Sequence, residues 1–290
     1  MKIAFWSNGG NNMCVTSNMA CITSIISLKN AGMKREILLE NHFNKERGLE
    51  KVLIQKDKID FLRETGGYYV KYGLEYILKR IFIGETHEEI IKSSTINLLL
   101  SNMFLLPSGM VFNKEVFNYD FSLVHNELFE MLEKAGDYVF IDTAGLRRKS
   151  KIKEELERYS IIRTVTAVDR ADVVIIVIDA KEGITEQDAK IAGIAHERGK
   201  GMIIAVNKWD LVEKDNTTMK KFTEKIREKL SYMPYAELVF ISAKTGLRIS
   251  RMFETIDAVI ENQTLRIQTG VLNEILSEAV AMQQPPSDKG

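Results

Sequence analysis

Three short motifs follow apolar runs, and their residue types suit one chemistry. Tyr138–Gly145 reads YVFIDTAG, Asn207–Asp210 reads NKWD after the run MIIAV, and Ser242–Lys244 reads SAK after LVFI. Carboxyl ends of strands in open α/β sheets are where such folds bind ligands. An Asp in that position, here Asp142, can hold Mg²⁺ through water. Gly145 leaves a backbone N–H free to approach a γ-phosphate. Asn207 and Asp210 can read guanine, because a carboxylate accepts two N–H bonds that adenine does not present in that pattern. A site built for those donors rejects a base that lacks them. The stem of Lys208 can lie along the purine plane, and the N–H of Ala243 can meet the guanine carbonyl, with Ser242 and Lys244 framing it. Each motif alone also reads as an ordinary turn after a strand. All three in order, each after a strand, favour the ligand reading.

The phosphate end of such a site needs GxxxxGK[ST] after the first strand. This chain carries GGNNMCVT at Gly9–Thr16, so Cys14 stands at the second glycine and Val15 at the lysine. A side chain at position 14 crowds the phosphates, and Val15 removes a positive charge from the β/γ-phosphates. Catalysis of phosphoryl transfer is mostly positioning and charge stabilisation, so hydrolysis is expected to be slow or lost. Gly9, Gly10 and Ser17 can still offer backbone N–H groups at the start of a helix expected over Ser17–Leu28. Thr16 can still reach Mg²⁺ beside Asp142.

The elements that must position these residues read as alternating strands and helices. Short apolar runs at Lys2–Trp6, Ile37–Leu39, Met103–Leu106, Tyr138–Ile141, Val173–Asp179, Met202–Val206 and Leu238–Ile241 suit the interior of a parallel sheet covered on both faces. Thr185–Arg198 and Met219–Leu230 carry helical apolar faces. The expected architecture is a three-layer α/β/α fold with a mainly parallel sheet. Lys+Arg and Asp+Glu are both 40 of 290 residues, which argues against nucleic-acid binding by bulk charge. Cys14 and Cys21 form neither a CxxC nor a Cys/His cluster, which disfavours a disulfide framework or zinc site. No apolar stretch approaches a membrane span, and a cytoplasmic protein is expected.

Residues 138–290 resemble the second GTPase domain of the Der (EngA) ribosome-assembly GTPases, on DTAGLRRKSKI, IRTVTAVDRADVVIIVIDA, EGITEQDAKIAG, NKWDLVEK, SAKTG and TGVLNEILSEAVAMQQPPSDKG. The resemblance implies GTP or GDP, Mg²⁺, and a ribosome or rRNA partner. It makes the basic run Arg147, Arg148, Lys149, Lys151 and Lys153 a γ-phosphate-sensing switch, where a solvated loop is the plainer reading. It also makes residues 269–290 the first helix of a truncated KH-like domain and its tail, after a GTPase half at 138–268. Residues 1–137 resemble, less closely, a divergent MinD/ParA-like ATPase, on the loop at Gly9–Thr16, EILLENH and MFLLPSG. That family's phosphate lysines are absent, and Glu40-Asn41-His42 stand where it carries acidic residues. His42 is most simply a polar loop residue. A fusion of the two halves within DYVFID would keep the sheet intact. Two readings follow: a guanine-nucleotide-binding protein, or a non-catalytic scaffold with a vestigial site. The helix expected at Thr269–Met282 puts Val271, Leu272, Ile275, Leu276, Ala279 and Val280 on one face. It is expected to fold back on its own sheet, with a homodimer as the alternative.

Overall fold

The computed structural model describes residues 1–6, 19–20, 22–24, 33–41, 49, 53–54, 73–86, 88–98, 102–107, 121–143 and 164–282. The first half contains β1 (Lys2–Trp6), β2 (Glu36–Asn41), α1 (Leu74–Phe82), α2 (Glu88–Ser94), β3 (Ile96–Asn97), β4 (Met103–Leu106) and α3 (Phe121–Ala135). The second half contains β5 (Tyr138–Thr143), β6 (Val173–Asp179), α4 (Glu186–Glu197), β7 (Gly201–Asn207), α5 (Thr218–Lys229), β8 (Glu237–Phe240), α6 (Ile249–Thr264) and α7 (Thr269–Met282). The expected helix at Ser17–Leu28 is represented by helical residues at 19–20 and 22–24; its remainder lies outside the described residues.

The strands form one eight-stranded sheet in the order β3-β4-β2-β5-β1-β6-β7-β8. Every pairing is parallel except β3 with β4. This is a P-loop NTPase-like α/β fold. β5 inserts between β1 and β2, with Phe5 opposite Asp142 and Glu40 opposite the same Asp142. The chain leaves β1 toward one edge of the sheet and leaves β5 toward the other. In open α/β sheets such a reversal marks the carboxyl ends of the strands, here β1, β5 and β6, as the ligand-binding edge.

Alternation along the strands builds both faces. Ala4 and Trp6 of β1 join the core beneath α1 to α5, while Ile3 and Phe5 join the opposite core beneath α6. All seven residues of β6 are buried, which is why it reads as an unbroken apolar run. α6 lies so close to β7 that a Cβ at Gly201 would sit 2.6 Å from Val259 Cγ1. Glycine there lets the helix seat on the sheet.

α7 does not fold back on the sheet as expected. None of its residues is buried, and Ile275 is 53% exposed. Residues 265–268, without helix or strand, lead from α6 to α7, and α6 already occupies the face beside β7. Among the described residues, no helix is long and apolar enough to cross a membrane.

One buried carboxyl makes stability depend on pH. Thr185 caps α4 in a reciprocal pair with Asp188, donating its N–H to Asp188 Oδ2 at 2.8 Å. Asp188 is 1% exposed, and Oδ1 has no partner. Burial pushes its pKa from 3.8 up to about 6, against the opposing pull of the Thr185 hydrogen bonds. A raised acid pKa means the fold prefers the protonated form. Its penalty is absent below the unfolded pKa and grows as pH rises through the folded one. Asp188→Asn should therefore gain stability relative to the parent between pH 4 and 7, by on the order of 2–3 kcal/mol. Urea unfolding of both proteins across that range checks this; a constant difference would refute it.

Candidate functional site

Three strand ends assemble the residues expected to read the base. β7 ends at Asn207, which is 3% exposed and stands in register with Asp179 at the end of β6. Lys208 then adopts a left-handed backbone, φ 61° and ψ 30°, which turns the chain sharply into a 3₁₀ turn at Trp209–Leu211. Trp209 is not exposed to a ligand. It is buried at 2%, with Phe240 at 4.5 Å and Phe222 at 5.1 Å between ring centroids. The backbone N–H of Trp209 donates to Ile241 O at 3.0 Å, tying this loop to the segment that follows β8.

That segment supplies Ser242, Ala243 and Lys244. Ala243 N–H donates to Asn207 Oδ1 at 3.1 Å. The amide expected to meet a guanine carbonyl thus also orients Asn207, leaving its amide nitrogen as the group with hydrogens to donate. A hydrogen bond with buried Ser242, aided by the charges of Lys244 and Lys214, holds the Asp210 carboxyl below its ordinary 3.8. Asp210 is therefore an anion at neutral pH, as an acceptor of two N–H groups must be. The Lys208 ammonium contacts Asp179 Oδ2 at 2.6 Å.

Further along the same sheet edge, Asp142 lies near the end of β5 and is 1% exposed. Glu40 is 1% exposed and opposite it in register, so two carboxyl-bearing side chains share one face of adjacent strands. Thr143 Oγ1 donates to Phe5 O at 2.7 Å, which locks the end of β5 to β1. This donor set suits a hard divalent cation. Among the described residues, no group of three or more His, Cys, Asp or Glu side chains forms a metal cluster. Gly9, Gly10, Cys14, Val15, Thr16, Ser17, His42, Gly145 and the basic run Arg147–Lys153 lie outside the described residues.

The structure thus brings together Asn207, Lys208, Asp210, Ser242, Ala243 and Lys244, and places Asp142 further along the same sheet edge. Two contributors escaped the motif reading. Asp179 ends VVIIVID much as Asp142 ends YVFID, and that shared signal could have found it. Trp209 lies inside NKWD, and nothing local marks it as a core residue. A separate cavity of about 570 Å³ lies against α5, lined by residues including Ala180, Glu182, Phe222, Lys225 and Lys229. None of the six residues that the strand ends bring together lines it.

Comparison with known proteins bears on the same region. The family described as elongation factor Tu GTP binding domain matches residues 157–262, and that described as 50S ribosome-binding GTPase matches residues 92–208. GTPase Der from Lachnoclostridium phytofermentans is 74% identical over 154 residues, 53% of this chain and 35% of that protein. About half of the chain is homologous to GTPase Der. GTPase Der from Ruminiclostridium cellulolyticum is 46% identical over 217 residues, 74% of this chain and 46% of that protein, so this match extends upstream of residue 138. The chain spans about a third of the length of the first of these relatives and under half of the second.

Solved structures share the fold. A plasmid partition protein from Borrelia burgdorferi superposes with a TM-score of 0.57 at 15% identity, covering 90% of this chain and 99% of that one. The septum site-determining protein MinD from Pyrococcus horikoshii, complexed with Mg-ADP, gives a TM-score of 0.52 at 15% identity, covering 91% and 95%. The whole sheet therefore shares its fold with these two proteins, while about half of the chain carries Der-like sequence.

Proposed function

We propose that this chain is a guanine-nucleotide-binding protein of the P-loop type. The observation that carries the reading is the clipped cluster at the ends of β6, β7 and β8: Asn207 oriented by Ala243, Asp210 held anionic beside Ser242, and Lys208 anchored across the strand ends. Such a set matches the donor edge of guanine and opposes adenine, whose exocyclic amine and ring nitrogen are arranged differently. Asp142, with Thr16 by sequence, would hold Mg²⁺, and Glu40 adds charge of the right sign in the same register. The ion would neutralise phosphate charge when bound. Gly145 and the backbone of Gly9, Gly10 and Ser17 would face the phosphates. With Val15 in the lysine position, β/γ charge is under-compensated, and slow turnover is expected. The match to the family described as 50S ribosome-binding GTPase supports a ribosome context as part of this proposal.

We also infer that two P-loop NTPase halves join near residue 138, in β5. That strand pairs with β2 on one side and β1 on the other, so a junction there keeps one sheet. The high identity to Der over about half the chain supports this, while the Der match over 217 residues and the GTPase family match from residue 92 reach upstream of 138 and weigh against it.

Fluorescent GDP and ATP analogues, titrated against the purified chain, test the reading. Guanine should bind at least tenfold more tightly, about 1.4 kcal/mol or more. Equal affinities would remove it. Binding of neither nucleotide would favour a non-catalytic scaffold, for which the likeness to partition-protein folds and the substituted phosphate loop speak.

A further inference from the structure

We propose that Asp179 is the positioning residue of the base site: its carboxylate fixes the Lys208 ammonium and so lays the lysine stem along the purine plane. This rests on the guanine reading above and adds a residue outside its three motifs.

Both oxygens of Asp179 are engaged. Oδ2 accepts from Lys208 Nζ at 2.6 Å, and Oδ1 accepts from Lys181 N–H at 2.8 Å. The Asp179 carbonyl accepts from Gly183 N–H at 2.8 Å, and Ala180 N–H donates to Asn207 O at 3.0 Å. The carboxylate is therefore held by its own turn, and that turn is fastened to the strand carrying Asn207. The Asp179 side chain is 5% exposed and that of Lys208 is 19% exposed, so solvent screens the pair weakly.

The consequence is pre-organisation. A free lysine stem explores many rotamers, and ordering it on binding opposes association. Tethered at Nζ and fixed at a left-handed backbone, the Lys208 stem has few alternatives left. Its methylenes then offer an apolar surface to any purine, while Asp210 alone discriminates the donor edge. Asp179 should thus control affinity and leave base choice untouched. A generic structural ion pair would give no such division.

The test is a double-mutant cycle read by fluorescent GDP titration of the full chain, with inosine diphosphate as competitor. Inosine lacks the 2-amino group that Asp210 accepts, so the GDP:IDP affinity ratio reports Asp210 chemistry. Asp179→Asn keeps the size and the acceptor for Lys181 N–H but removes the charge. It should weaken GDP binding about tenfold with the GDP:IDP ratio unchanged. Lys208→Met should weaken binding similarly, and the double variant should bind no more weakly than the weaker single variant. GDP affinity of Asp179→Asn within twofold of the parent overturns the proposal, as do losses that multiply in the double variant. Should Asp179→Asn fail to fold, Asp179→Glu carries the test. It retains the charge and should bind GDP more tightly than Lys208→Met; binding no better overturns the proposal. If the parent binds no guanine nucleotide, the guanine reading itself falls, a result separate from all of these.

Discussion

Asp210→Asn should exchange guanine for xanthine selectivity. In the parent, on the proposed guanine reading, the Asp210 anion would present two acceptors to the N1–H and 2-amino donors of guanine. The carboxamide presents one acceptor and one donor, and its NH₂ then opposes the guanine 2-amino group. Xanthine carries a carbonyl at that carbon and accepts the new hydrogen bond. An unpaired, desolvated donor costs roughly 1–3 kcal/mol, and the lost charge-assisted bonds add to it. GDP affinity should fall on the order of 100-fold, while affinity for xanthosine diphosphate rises above that for GDP. Competition titration of the two nucleotides against a fluorescent reporter decides the matter; unchanged GDP preference in the variant would show that Asp210 does not read the base. The Ser242 hydrogen bond and neighbouring lysines keep the Asp210 pKa below 3.8, so the parent's base preference should be flat from roughly pH 5 to 8.

Trp209→Ala should unfold the protein more readily and loosen the base site together. The indole is 2% exposed and packs against Phe240 and Phe222. Removing a buried Trp side chain costs about 3–5 kcal/mol through lost transfer energy and the cavity left behind. The cavity would open directly beneath the turn that holds Lys208 and Asp210. Urea unfolding should report the stability loss, and GDP titration at low urea a weakened affinity. Normal stability would mean that Trp209 is not the anchor; normal affinity in a destabilised variant would mean that the loop holds its shape without it.

Much of the frame is legible in local sequence. Seven of the eight strands overlap expected apolar runs: β1, β4 and β6 match to the residue, β2, β5 and β7 extend past theirs by one or two residues at an end, and β8 is offset by one residue, Glu237–Phe240 against the expected Leu238–Ile241. Even there, Ile241 N–H still bonds Val206 O at 2.8 Å, so the run extends the pairing past the strand's formal end. The two-residue β3 is too short to leave a periodic signal. α4 begins after Thr185 because Thr185 and Asp188 cap it, and α7 spans the expected Thr269–Met282 because apolar spacing defines a helix whether or not it is packed. The motif residues of the base cluster are legible for a similar reason: the donor and acceptor chemistry belongs to the side chains themselves.

Tertiary structure decides what those local signals leave open. Spacing cannot say that β5 lies between β1 and β2, because strand order is a matter of register between distant segments. It cannot pair Lys208 with Asp179, 29 residues earlier, since that contact exists only once β6 and β7 align residue by residue. It assigns the Trp209 side chain no role, whereas the left-handed turn at Lys208 leads into a loop that seats the indole in the core. And it assigns α7 a buried face, although burial depends on an uncovered partner surface and not on the helix alone. Local sequence determines which elements form and which groups can do chemistry; the sheet's long-range register determines which of those groups meet.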